Sequence, residues 1–126
     1  MARIRSKHMK PEMAVRRIIY GMGYRYRLHG NKLPGKPDLI FSSKRKVIFV
    51  HGCFWHQHPD PKCPDGSRRK PKSNTAFWNL KLKNNVERDK KNQNLLGNMG
   101  WRILIIWECE TKNKELLEMR ISEFLD

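Results

Sequence analysis

The chain has 126 residues, with 27 Lys and Arg against 12 Asp and Glu, a net charge of +15 and a pI near 10.2. That length sets one domain with a modest core, and the cationic excess makes a polyanion the first partner to consider, because lysine and arginine neutralise phosphates and release counterions. No apolar run approaches the ~18 residues of a membrane span, the start of the chain lacks an apolar signal region, and an odd count of three cysteines argues against a disulfide framework; a cytoplasmic protein with free or metal-bound thiols is expected.

Residues 1–11 read as a basic arm and 12–126 as the folded unit. Pro11 suits a first helical turn and Glu12 its dipole. Ala14, Val15, Ile18, Ile19 and Met22 follow helical spacing up to Gly21 and Gly23. Tyr24, Tyr26 and Leu28 alternate with Arg25, Arg27 and His29, the pattern of a half-buried strand. Residues 31–37 form a loop. Residues 38–41 and 46–50 make a hairpin about a polar turn.

From 52 to 71 the chain holds four prolines and two glycines. A loop that long in a small domain needs something to hold it. A helix is expected from a cap at Ser73 or Asn74 to about Asn98, with Ala76, Phe77, Leu80, Val86, Leu95 and Leu96 facing inward and Gly100 as its stop. Residues 101–107 are almost wholly apolar, as in a central strand covered on both faces. A last helix over about 113–125 buries Leu116, Leu117, Ile121 and Phe124. The order predicts an α/β sandwich with a mixed sheet.

Three groups of residues carry chemistry. Cys53, His58 and Cys63 are evenly spaced, and Cys109 follows the 101–107 strand. Three cysteines and a histidine are a set that Zn²⁺ prefers over harder ions, and such a site contributes folding energy. The alternative for Cys109 is a small buried hydrophobe, and spacing alone leaves open whether His56 or His58 holds the metal. Next, Asp38 begins one strand of the hairpin and His51 ends the other. Asp38, the Val50 carbonyl and His51 therefore cluster at one sheet end, with strands ~5 Å apart. A carboxylate, a carbonyl and waters suit Mg²⁺, which would stabilise charge on a phosphate. His51 and His56 are the candidates to take a proton from water. Last, Phe54, Trp55 and Trp78 are either core aromatics or wedges that unstack a base step.

These segments together resemble the very short patch repair (Vsr) endonuclease family. The text carrying the resemblance is Leu33-Pro34-Gly35-Lys36-Pro37-Asp38, Val47-Ile48-Phe49-Val50-His51-Gly52-Cys53-Phe54-Trp55-His56, Thr75-Ala76-Phe77-Trp78, Asn85-Val86-Glu87-Arg88-Asp89 and Gly100-Trp101-Arg102-Ile103-Leu104-Ile105-Ile106-Trp107-Glu108-Cys109. The resemblance implies a restriction-endonuclease-like, PD-(D/E)XK-type three-layer sandwich in which a histidine-bearing strand replaces the usual acid and lysine. It implies a monomeric, Mg²⁺-dependent endodeoxyribonuclease that nicks double-stranded DNA 5′ of the T in T·G mismatches left by 5-methylcytosine deamination, giving a 5′-phosphate. Other mismatch-repair proteins would be further partners. By the same resemblance Asp38 and the Val50 carbonyl hold Mg²⁺, His56 is the base, and His51 assists. Glu12 orients a catalytic histidine, Cys53, His58, Cys63 and Cys109 hold a structural zinc in a loop over about 52–72, and Phe54, Trp55 and Trp78 intercalate. A nuclease of the same fold with another DNA target, of restriction or mobile-element type, and a non-catalytic zinc-stabilised DNA-binding module are the alternatives.

Overall fold

The computed structural model describes residues 10–28, 32–60, 62–63, 66 and 73–126. The expected basic arm thus lies outside the described residues for 1–9, as does most of the loop after Asp60. The elements run α1 (Pro11–Gly21), β1 (Arg27–Leu28), β2 (Leu39–Phe41), β3 (Lys46–His51), α2 (Thr75–Asn98), β4 (Arg102–Trp107) and α3 (Lys114–Leu125), with 3₁₀ turns at Ser42–Lys44 and Glu108–Lys112. No helix among the described residues is long and apolar enough to cross a membrane.

One mixed sheet orders the strands β1-β2-β3-β4. The β2–β3 hairpin is antiparallel, with Leu39 opposite Ile48 and Phe41 opposite Lys46. β4 returns parallel to β3 and pairs His51 with Trp107 at their shared end. The long α2 connection makes that parallel return feasible. Strand alternation then splits the side chains between two faces. Leu39, Phe41, Ile48 and Ile106 pack against Val15 and Ile19 of α1 and Leu117, Ile121 and Leu125 of α3. On the opposite face Ile40, Val47 and Phe49 pack with Leu96 of α2, joined by Ile103 and Ile105. Helices therefore cover both faces of an α/β sheet.

Four expectations need correction. Among the described residues the 101–107 run stands at the edge of the sheet, not at its centre; it is apolar because Ile103 and Ile105 meet the α2 face while Leu104 and Ile106 meet the other. Only Leu82 and Leu96 of α2 are buried, whereas Phe77 and Leu80 are 59% and 62% exposed, Leu95 and Ala76 are exposed and Val86 is half-buried. Length explains this. Twenty-four residues of helix span about 36 Å, against about 20 Å for a six-residue strand, so the N-terminal part of α2 overhangs the sheet. In α3 the buried stripe is Leu117, Ile121 and Leu125, leaving Leu116 exposed and Phe124 half-buried. Of the expected strand over 24–29, His29 lies outside the described residues; among the described ones it pairs only at Arg27 and Leu28, both exposed, although Tyr24 and Tyr26 still pack on the core.

Candidate active site and metal centre

The end of the β2–β3 hairpin builds the first part of the site. The Asp38 N–H donates to the Ile48 carbonyl at 3.1 Å, and Asp38 Oδ2 accepts from the Val50 N–H at 2.7 Å. The N–H and C=O of one strand residue face the same edge, so the carboxylate is held on the edge that carries the Val50 carbonyl. Gly35 sets the loop before it: its φ is +76°, and a Cβ there would lie 3.1 Å from Asn92 Cβ and 3.2 Å from the Phe49 ring. Only glycine combines that backbone with that approach to α2.

Beyond β3 the chain makes a tight helical turn. His56 N–H bonds to the Gly52 carbonyl at 3.1 Å and His58 N–H to the Cys53 carbonyl at 2.9 Å. Gln57, between them, has a φ of +51°, and the two rings are directed apart. His56 folds back over His51, their rings stacked at 3.8 Å and 8°. His58 points the other way, into the cysteines.

Asp38, Val50, His51 and His56 line one cavity of about 160 Å³ together with Gly35, Phe49, Asp89, Asn92 and Gln93. His56 Nδ1 lies 2.6 Å from Asp89 Oδ2, so the carboxylate that holds His56 comes from α2. His51 is only 5% exposed, and its Nδ1 has no hydrogen-bond partner among the described residues. Burial first, and then the neighbouring His56, push its pKa down to about 4, against a smaller upward pull from Asp89. At neutral pH the His51 ring is uncharged. The donor atoms of His51, His56 and Asp89 also lie within 4.8 Å of one another, close enough to share an ion. Glu12 stands in the first turn of α1, 3.7 Å from Arg16.

The second constellation is Cys53, His58, Cys63 and Cys109, whose donor atoms all lie within 4.8 Å of one another. His58 Nδ1 is 3.7 Å from Cys53 Sγ and 3.4 Å from Cys109 Sγ. A tetrahedral zinc with ordinary bond lengths separates nitrogen and sulfur by about 3.6 Å, so the residues fit such an ion. Cys53, Cys63 and His58 are buried. Burial pushes the Cys53 thiol up to about 12, opposed by a backbone hydrogen bond from Cys109 and reinforced by the Cys63 and Cys109 thiols. Burial raises Cys109 as well. A bound cation reverses that preference, since thiolates are the ligands. The cluster ties the turn after β3 to the turn after β4.

The aromatic residues form one surface. Phe54, Trp55 and Trp78 lie 5.5–5.8 Å apart by ring centre, and Phe77 joins Trp78 at 5.4 Å. Trp55 is 47% exposed. A groove lined by Trp55, Lys81, Asn85 and Arg88 leads from these rings to His56 and Asp89. Asn85 donates to the Trp55 carbonyl at 3.2 Å and accepts from Arg88 at 2.6 Å.

Comparison with known proteins follows the same lines. The chain is 44% identical over 126 residues to the type II nicking enzyme V.XorIIP of Xanthomonas oryzae pv. oryzae, covering 100% of this chain and 89% of that protein. It is 42% identical over 125 residues to V.NmeAIP of Neisseria meningitidis serogroup A, covering 99% and 86%. It is 38% identical over 121 residues to the DNA mismatch endonuclease Vsr of Escherichia coli, covering 90% and 74%. Residues 1–62 match the family described as DNA mismatch endonuclease Vsr. The chain belongs to the Vsr family. As a Vsr-family protein it is a DNA endonuclease, a hydrolase of phosphodiester bonds.

Within this Vsr-family chain, Asp38, Val50, His51 and His56 meet in one cavity, and Cys53, His58, Cys63 and Cys109 form a separate cluster. Sequence reasoning did not single out Asp89 as the partner of His56. Its signal is the polar face of α2, where Lys81, Asn85, Arg88, Asp89 and Asn92 recur at helical spacing.

Proposed function

We propose that this protein nicks one strand of double-stranded DNA on the 5′ side of the T in a T·G mismatch, leaving a 5′-phosphate, with Mg²⁺ at the cavity and Zn²⁺ in the Cys3His cluster. The observation that carries this reading is the convergence of Asp38, His51, His56 and Asp89 on one cavity beside a partly exposed aromatic surface. In fold terms the reading is a restriction-endonuclease-like domain over 12–126, preceded by a basic arm, with His51 where that architecture usually carries an acid and lysine strand.

Asp38 and the Val50 carbonyl would hold Mg²⁺, a hard ion suited to oxygen donors. When bound, that ion supplies positive charge at the scissile phosphate and the leaving oxygen. The chain's own residues handle the proton. His56, with Nδ1 fixed by Asp89, offers Nε2 to the attacking water, and Asp89 stabilises the imidazolium that results. His51, uncharged and stacked on His56, fixes the plane of that ring. Glu12 is a further carboxylate acting on a catalytic histidine from α1. Cys53, His58, Cys63 and Cys109 would hold a structural zinc. Phe54, Trp55 and Trp78 wedge beside the mismatch, where unstacking costs least.

Asp38→Asn separates this reading from a non-catalytic DNA-binding module. Nicking of a T·G duplex is expected to fall to background while affinity for that duplex stays within about threefold, because one neutral oxygen replaces a metal ligand and leaves the cationic surface intact. Unchanged nicking by the variant would remove Asp38 from the mechanism.

A further inference from the structure

The two constellations are joined by an unbroken run of rings. His58, at the Cys3His cluster, stacks on Trp107 at 4.3 Å and 13°. Trp107 and His51 meet in a T-shaped contact at 5.3 Å and 75°. His51 stacks on His56, and His56 bonds to Asp89. Trp107 ends β4 and is the register partner of His51, which ends β3, so the strand pairing fixes where these rings meet.

The decisive point is the state of His51. An active-site imidazole is ordinarily oriented by a hydrogen bond from one of its nitrogens. His51 Nδ1 is buried and has no such partner among the described residues. Its ring is packed on three neighbours: Trp107, the stacked His56, and Phe49 at 5.6 Å and 56°. On the other side of Trp107, the His58 ring is anchored through Nδ1 facing Cys53 and Cys109. The plane of His58 is therefore set where a metal would be bound, and the plane of His51 is set by what stacks on His58. Close-packed rings transmit such displacements because the interior has little free space to absorb them.

We propose that Trp107 is a positioning residue that couples the Cys3His cluster to the catalytic histidine pair, so that the metal held by His58 sets the geometry of His51 and His56. The inference rests on the reading of His51 and His56 as the working histidines. It gives the cluster a role in the rate of the reaction as well as in folding.

The test uses the full chain, two variants and two metals. Trp107→Phe keeps an aromatic ring between His58 and His51; Trp107→Leu removes it. Metal content, single-turnover nicking and the ring ¹⁵N resonances of His51 and His56 are recorded for each protein loaded with Zn²⁺ or with Cd²⁺, a larger thiophilic ion. Trp107→Leu is expected to retain one metal per chain and near-normal KM, and to lose at least about tenfold in kcat, since small misplacements of catalytic groups are costly. Trp107→Phe is expected to stay within about threefold of the parent. Exchanging Zn²⁺ for Cd²⁺ is expected to move the His51 and His56 resonances in the parent and in Trp107→Phe, and to leave them in place in Trp107→Leu. Parent resonances that ignore the metal exchange, or full kcat in Trp107→Leu, overturn the coupling. If Trp107→Leu does not fold, the resonances of the parent under metal exchange decide alone. If the parent does not nick, the catalytic reading fails, and the same resonances still decide whether the rings are coupled.

Discussion

Asp89→Asn is the sharpest perturbation of the proposed chemistry. Asparagine keeps the shape of the side chain and an oxygen that can accept from His56 Nδ1, so the helix and the cavity are retained. What it removes is a negative charge 2.6 Å from an imidazole nitrogen. A hydrogen bond to a charged group contributes about 1.5–3 kcal/mol net. A bare Coulomb figure for charge centres ~4 Å apart at an effective dielectric near 20 is about 4 kcal/mol. The lower range is the better guide, because the two side chains are still 30% and 21% exposed. Since ~1.4 kcal/mol is a factor of ten in rate, kcat for nicking a T·G duplex is expected to fall about 10- to 100-fold. Affinity is expected to hold or tighten, because the change deletes a negative charge from a groove that would face phosphates. Single-turnover nicking and fluorescence anisotropy on the same duplex separate the two. A kcat within threefold of the parent, or a loss matched by an equal loss of affinity, would refute the role given to Asp89.

Three further outcomes follow from the geometry. Gly35→Ala places a Cβ at a φ of +76° and 3.1 Å from Asn92; a loss of about 1–3 kcal/mol is expected in urea unfolding, and a loss under 0.5 kcal/mol would show that the loop simply yields. The His51 pKa is depressed to about 4 from 6.5 in the folded state, so protons bind the unfolded chain more readily and its contribution is complete above pH 6.5. As pH falls from 6.5 to 4 the parent should lose stability, relative to His51→Leu, by on the order of 3 kcal/mol; parallel stability curves for the two proteins would contradict this. Trp55→Ala removes a ring that is nearly half exposed, so stability should change little, while stacking worth roughly 1–3 kcal/mol per base should disappear from T·G binding; an unfolding shift without a binding loss would make Trp55 a core residue.

Much of this was legible in the sequence because local chemistry determined it. Pro11 and Gly23 bracket α1, and the polar turn at Ser42 forces the hairpin that brings Asp38 to Val50 and His51. Cys53, His58 and Cys63 lie close in sequence, so their meeting needed only a tight turn. Distant relations were less legible. The apolar run of β4 looks the same at an edge as at a centre once both faces are covered, and no pattern within the strand reports its neighbour. The apolar residues of α2 read as inward because periodicity does not say how far the sheet extends beneath a helix; Phe77 and Leu80 lie on the overhang. Asp89 is one charged residue among many on α2, and only the tertiary approach of α2 to the turn after β3 singles it out.

The most direct measurement is strand cleavage on three end-labelled duplexes of equal length in the presence of Mg²⁺, one fully paired, one with a T·G mismatch and one with a different mismatch, in several flanking sequences. A single nick on the 5′ side of the T, in the T·G duplex alone and lost on chelation of Mg²⁺, is the expected result. Equal cutting of all three duplexes would keep the nuclease and contradict mismatch recognition, and cutting that persists without divalent metal would contradict the role assigned to Asp38.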